Sequence, residues 1–127
     1  MRYVAADSQN FVPASHEDPR NPGVLKRVIA TQADLLCGQV MMVNWSRLPG
    51  NSAFQSHYHE DMQEVFVLIS GYVRMTVDQQ TVELRSGDTI IVEPREIHSM
   101  QNLQQSAAEY LVFGVSTESG GETVVVE

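Results

Sequence analysis

The sequence predicts an all-β fold, a barrel or sandwich of short strands in a single domain. Three observations carry that expectation. No stretch longer than about eight residues holds a 3.6-residue apolar period, so no amphipathic helix is expected. Short alternating or wholly apolar runs recur, with turn-forming clusters roughly every eight to twelve residues. The chain has 127 residues and is 43% hydrophobic, enough for one core.

Residues 1–23 form an expected arm or loop. Pro13 to Gly23 is dense in proline, glycine, aspartate and asparagine. It carries His16 beside Glu17. The default expectation is a solvated loop histidine; the sharper one is an arm folded over the barrel mouth, with His16 or Arg20 meeting a ligand. Residues 24–116 are the expected barrel. Val24 to Thr31 reads as a strand with Leu25, Arg27 and Ile29 on one face and Val28 and Ala30 near the other. Leu35 to Trp45 reads as a second strand, with Met41, Met42 and Trp45 as core packing in preference to a ligand pocket. Arg47-Leu48-Pro49-Gly50-Asn51-Ser52 is a turn.

Ala53, Gln55, His57 and His59 share one parity, so on a continuous strand all four face inward. Glu64, Phe66 and Leu68 share the next inward face. Val65, Val67 and Ile69 take the other. A strand apolar on both faces is expected between two layers. Tyr72 to Asp78 and Thr81 to Leu84 read as a hairpin around Asp78-Gln79-Gln80. Thr89 to Val92 is an apolar strand stopped by Pro94. His98, Met100 and Asn102 share a parity, Gln101 to Ala107 is a polar loop, and Glu109 to Val115 is a last core strand. Residues 117–127 are the expected tail, with a β-prone run at Thr123 to Val126 that should pair at a sheet edge in this subunit or a neighbour.

Composition narrows the function classes. Sixteen acidic against eight basic residues give a formal net charge of −8 and a pI near 4.8. Nucleic acid is excluded as a partner, because phosphate binding needs a basic surface. Met1 to Asp7 lacks the apolar core of a signal peptide, and no run approaches the roughly 18 apolar residues of a membrane span. No membrane partner is therefore expected. Cys37 is the only cysteine, so no internal disulfide is possible, and it reads as packing in an apolar run. A cytoplasmic location fits both facts.

The chemistry concentrates in two stretches. In the first, His57 and His59 stand two apart, Glu64 follows, and the apolar run ends at Gly71. In the second, Gly87 opens a strand, Pro94 turns it, and His98 begins the next. Side chains two apart on a strand point the same way, and a short turn after His59 would bring Glu64 back to the same spot. Neutral imidazoles plus a carboxylate suit a divalent first-row ion.

Gly50, His57, His59, Glu64 and Gly71, with Gly87, Pro94, His98 and Asn102, resemble the two motifs of the cupin superfamily. Gly50 lies one residue further from His57 than in the family pattern, Pro94 sits one place late, and the family's next glycine is replaced near Glu96. The resemblance spans roughly residues 40 to 115. It implies a cupin double-stranded β-helix, a jelly-roll barrel, commonly a homodimer. It also implies a 3-His/1-Glu site of His57, His59, Glu64 and His98 holding a divalent transition metal (Fe, Mn, Ni, Zn, Co or Cu).

The expected function is a metal-dependent enzyme on a small molecule, dioxygenase-like or isomerase-like. Glu64 could move from ligand to base, and Glu96 is a second candidate base, though an exposed loop acid is its default reading. Gln55, Phe66, Arg95 and Met100 are the candidate substrate contacts. The alternative is a non-catalytic cupin that binds a sugar or related metabolite. A storage-like scaffold barrel is the third reading, and the complete ligand set argues against it.

Overall fold

The computed structural model describes residues 1–117 and 122–126, with the side chain of Cys37 outside that description. The packing expected of Cys37, and the link expected from Ser116 to Gly121 beyond residue 117, therefore lie outside the described part. The strands are β1 (Val12–Pro13), β2 (Leu25–Thr31), β3 (Val40–Leu48), β4 (His57–His59), β5 (Gln63–Ser70), β6 (Tyr72–Val77), β7 (Gln80–Arg85), β8 (Thr89–Val92), β9 (His98–Gln101), β10 (Ala108–Val115) and β11 (Thr123–Val125). They form two antiparallel sheets, β1-β2-β3-β10-β5-β8 and β11-β4-β9-β6-β7. Consecutive strands such as β3 and β4, β4 and β5, or β9 and β10 fall in opposite sheets. The chain thus wraps one interior as a jelly-roll barrel.

Side-chain alternation explains which face each strand buries. On β10, Ala108, Tyr110, Val112 and Gly114 are buried, and the residues between them are half-buried. On β5, Glu64, Phe66 and Leu68 are buried. The outer face of β5 is less covered than its apolar composition suggested: Val65 and Val67 are half-buried and Ile69 is exposed. Gly71 closes β5 at φ 101°, a left-handed conformation that side chains disfavour. The ideal Cβ of any other residue there would lie 2.8 Å from the Cβ of Ala108.

Two expected elements change. The strand predicted from Leu35 begins only at Val40, because residues 32–38 form two short 3₁₀ turns. Asp34 drives the first: its Oδ2 accepts from the Thr31 backbone N–H at 2.9 Å and the Thr31 hydroxyl at 3.0 Å, a local bond that competes with a ladder. The strand then runs on through Leu48, into the expected turn. The tail strand β11 pairs with β4 of the same chain, Thr123 opposite His59 and Val125 opposite His57. No helix among the described residues is long and apolar enough to cross a membrane.

Candidate metal centre

Four elements bring the site together. β4 sets His57 and His59 on one face, and β9 pairs with it so that His57 stands opposite His98. Residues 60–62 turn the chain, and Glu64 takes the first inward position of β5. All four side chains are buried, and their potential ligand atoms lie within 4.8 Å of one another.

The hydrogen bonds around the rings decide what those atoms offer. His57 Nδ1 lies 2.7 Å from the Gln55 carbonyl, and His98 Nδ1 lies 2.9 Å from the Glu96 carbonyl. A carbonyl only accepts, so each Nδ1 carries the proton and each neutral ring is left with a bare Nε2. Glu64 Oε1 sits 2.9 Å from His59 Nε2 and 3.0 Å from His98 Nε2. Buried His59 Nε2 makes no well-aligned hydrogen bond despite that distance. A neutral His98 would turn a lone pair toward the carboxylate, and only an imidazolium could donate to it. A cation among these atoms would satisfy the orphaned nitrogen and the crowded lone pairs together, and the donor set suits a divalent transition ion. Thr123 Oγ1, 3.2 Å from His59 Nδ1, holds the remaining ring from β11.

Electrostatics agree with a neutral His57. Burial, aided by His16 and His98, holds the His57 imidazole down at about 3, so it is neutral at ordinary pH. Burial pushes the Glu64 carboxyl up, but the pull of the His59 and His98 rings, which acts when their Nε2 atoms carry a proton, outweighs that and holds it at about 2.

The site opens on a cavity of about 270 Å³. Of the expected substrate contacts, Phe66 lines it. Gln55 does not: residues 54–56 are not in a strand, Phe54 takes the buried place and Gln55 is exposed. The cause is Glu17, whose Oε2 accepts the Gln55 backbone N–H at 2.9 Å. Arg95 is also misplaced. It sits at φ 70°, is exposed, and pairs with Glu60 at 3.3 Å. Met100 is fully buried in the apolar core and does not line the cavity. Glu96 caps its own turn, accepting the Glu93 backbone N–H at 2.7 Å.

Several lining residues were missed or undervalued. Met41 and Met42 line the cavity, and Met42 also packs on the core. His16 belongs to the wall, and its ring stacks on His57 at 4.1 Å between centroids. Its Nδ1 lies 2.9 Å from Glu17 Oε2, and the other Glu17 oxygen accepts the Gly23 N–H at 2.5 Å. The arm therefore does fold over the barrel, while Arg20 stays exposed beside Asp18. Asn44 and Ser46 from β3, with Tyr110 from β10, supply polar lining. Alternation along β3 could have marked the first two once its true start was known. Met62 lines the cavity above Gly114, where a Cβ would come within 2.3 Å of the Met62 sulfur.

A family model described as the cupin domain matches residues 44–114, more than half of the chain. This chain is a cupin. The Bacillus subtilis quercetin 2,3-dioxygenase is 33% identical to this cupin over 75 residues, 59% of this chain and 22% of that protein. The cupin spans less than two thirds of the curated relatives it matches, 64% of one and 22% of the other. Among solved structures, a predicted oxalate decarboxylase from Thermotoga maritima superposes with a TM-score of 0.80 at 19% identity, covering 91% of this chain and 99% of that one. The polyketide cyclase RemF from Streptomyces resistomycificus gives 0.79 at 16% identity, covering 100% and 86%. At such identities the likeness concerns the fold alone.

Proposed function

We propose that this cupin is a metal-dependent enzyme acting on a small molecule, with His57, His59, Glu64 and His98 holding one divalent transition ion. The observation that carries this is the orphaned His59 Nε2 beside Glu64, next to two imidazoles whose Nδ1 protons are already committed to carbonyls. Fe, Mn, Co, Ni, Cu and Zn all suit such donors. When bound, the ion supplies Lewis-acid polarisation of a substrate oxygen and, if redox-active, a route for electrons.

The chain's own residues do the rest. The Gln55 and Glu96 carbonyls and the Thr123 hydroxyl hold the three rings in orientation. Phe54 and Phe66 pack against His98 and limit water at the site. In the isomerase-like version Glu64 would take a proton from a bound substrate only on shifting from ligand to base. The dioxygenase-like and isomerase-like versions differ in what is consumed. Metal analysis of protein purified without chelator or histidine tag should give about one transition ion per chain, which would bind one per site. Oxygen uptake during turnover selects the dioxygenase version, and turnover without uptake selects the isomerase. Empty protein that also refuses all six ions would overturn the reading.

We also propose a cytoplasmic homodimer. Val43, Phe113, Val65 and Ile91 are successive cross-strand partners on the outer face of the larger sheet, and Ile91 is 52% exposed. A second copy would cover this stripe. Light scattering of wild type and Ile91→Glu tests it: a dimer that dissociates in the variant is expected, and a wild-type monomer contradicts it.

A further inference from the structure

We propose that Lys26 anchors the carboxylate of a small carboxylic acid in this cavity, so that the ligand is anionic at the end facing the arm. The inference deepens the metal-dependent reading and rests on it for the ligand's other end.

Lys26 is the only lysine in the chain. The other cations are accounted for. Arg2, Arg20, Arg47, Arg74 and Arg95 pair with Asp34, Asp18, Glu109, Glu83 and Glu60. Arg27 lies against Phe11 and Trp45, and Arg85 lies against Tyr72. Lys26 has no carboxylate partner among the described residues, although acidic side chains outnumber basic ones two to one. Its ammonium donates instead to the Ser15 hydroxyl at 2.8 Å.

Lys26 and Ser15 line the same cavity as His57, His59 and Glu64. The side chain is half-buried, and that burial lowers its pKa with no neighbouring charge to offset it. The arm carboxylate Glu17 is already held by His16 and by the Gly23 and Gln55 N–H groups. A partly desolvated cation without a counter-ion is costly, and an incoming anion would remove that cost.

The donor set also chooses the anion. One ammonium and one hydroxyl match the single charge and two oxygens of a carboxylate. A phosphate dianion would bring charge that nothing else at this end of the cavity answers. At about 270 Å³, and roughly 30 Å³ for each water-sized atom, the cavity admits on the order of ten non-hydrogen atoms.

Because Lys26 is unique, amine acetylation reads it directly, with the exposed N-terminal amine as internal control. Acetate, pyruvate, oxalate and benzoate would be tested on the metal-loaded chain against their amides and inorganic phosphate. At least one carboxylate should slow Lys26 acetylation about tenfold without slowing the N-terminus, and its amide and phosphate should not. The effective carboxylate should bind about tenfold more weakly to Lys26→Met and nearly normally to Lys26→Arg. Metal content should be unchanged in both variants. The proposal is overturned if no carboxylate protects, if phosphate or the amide protects equally, or if Lys26→Met binds as well as wild type. Protection in a wild-type chain that takes up no metal would sink the metal reading while supporting the role of Lys26.

Discussion

The two ends of the barrel interior are built from the same strands but are chemically opposed. Along the inward face of β5, Glu64 gives way to Phe66 and then to Leu68. Along β9, His98 gives way to Met100 and, just past the strand's end, to Asn102. One end holds three imidazoles, a carboxylate and a cavity. At the other, Leu48, Leu68, Val73 and Met75 are sealed from water. Two residues of strand separate the regimes. The apolar end can therefore supply stability while the polar end holds buried charge and bare lone pairs that a well-packed core would not tolerate. Asn102 ties off the apolar end: its amide donates to the Leu48 and Ser106 carbonyls at 3.1 and 2.9 Å.

The sharpest way to break this division is to damage one end and read the other. Leu68→Ala should cost roughly 2–5 kcal/mol of unfolding free energy, while the protein that remains folded keeps its full metal content. Urea denaturation and metal analysis of the same sample check both halves. The reverse experiment is His59→Ala. It should leave a folded β protein by circular dichroism and weaken metal affinity beyond the roughly 10–100-fold typical of losing a supporting group. Unchanged metal content would show that the ligands are misassigned.

Acid should act on the polar end first. His57 is held near 3 in the folded protein, so below the unfolded value of 6.5 the unfolded chain binds the extra proton. Metal-free protein should therefore lose stability as pH falls from about 6.5 toward 3, by up to roughly 1.4 kcal/mol per pH unit. Glu64, lowered from 4.5 to about 2, contributes stability above 4.5 that is lost as pH falls through 2, so both act in the same direction. Denaturation of chelator-treated protein across that range measures the slope, and a flat profile would contradict the buried neutral His57. The smallest expected effect is at Thr123→Val, which removes the hydroxyl beside His59 Nδ1 and should weaken metal binding about tenfold at most.

How far these ends could be read from the chain depends on where a strand is continuous. At His98, Met100 and Asn102 the parity places all three side chains in the interior, as observed. From Ala53 to His59 the same rule fails, because Glu17 captures the Gln55 N–H and only His57–His59 is a strand. Parity cannot register a hydrogen bond from an arm some forty residues away. That His57, His59, Glu64 and His98 converge was legible because all four lie on true strands, on which parity holds. His16 was reached only in the sharper of two expectations, and Met62 and Lys26 were not reached, since their places depend on how the arm and the turn after His59 close over the barrel. Arg95 was misread because the positive φ of its turn sends the side chain out to Glu60.

The central claim is that three imidazoles and one carboxylate share a single ion at the polar end. X-ray absorption of protein loaded with one equivalent of cobalt tests it most directly. The account predicts multiple scattering from three imidazole rings with an oxygen donor, falling to two rings in His59→Ala. A spectrum of oxygen donors alone, unchanged by that substitution, would contradict it.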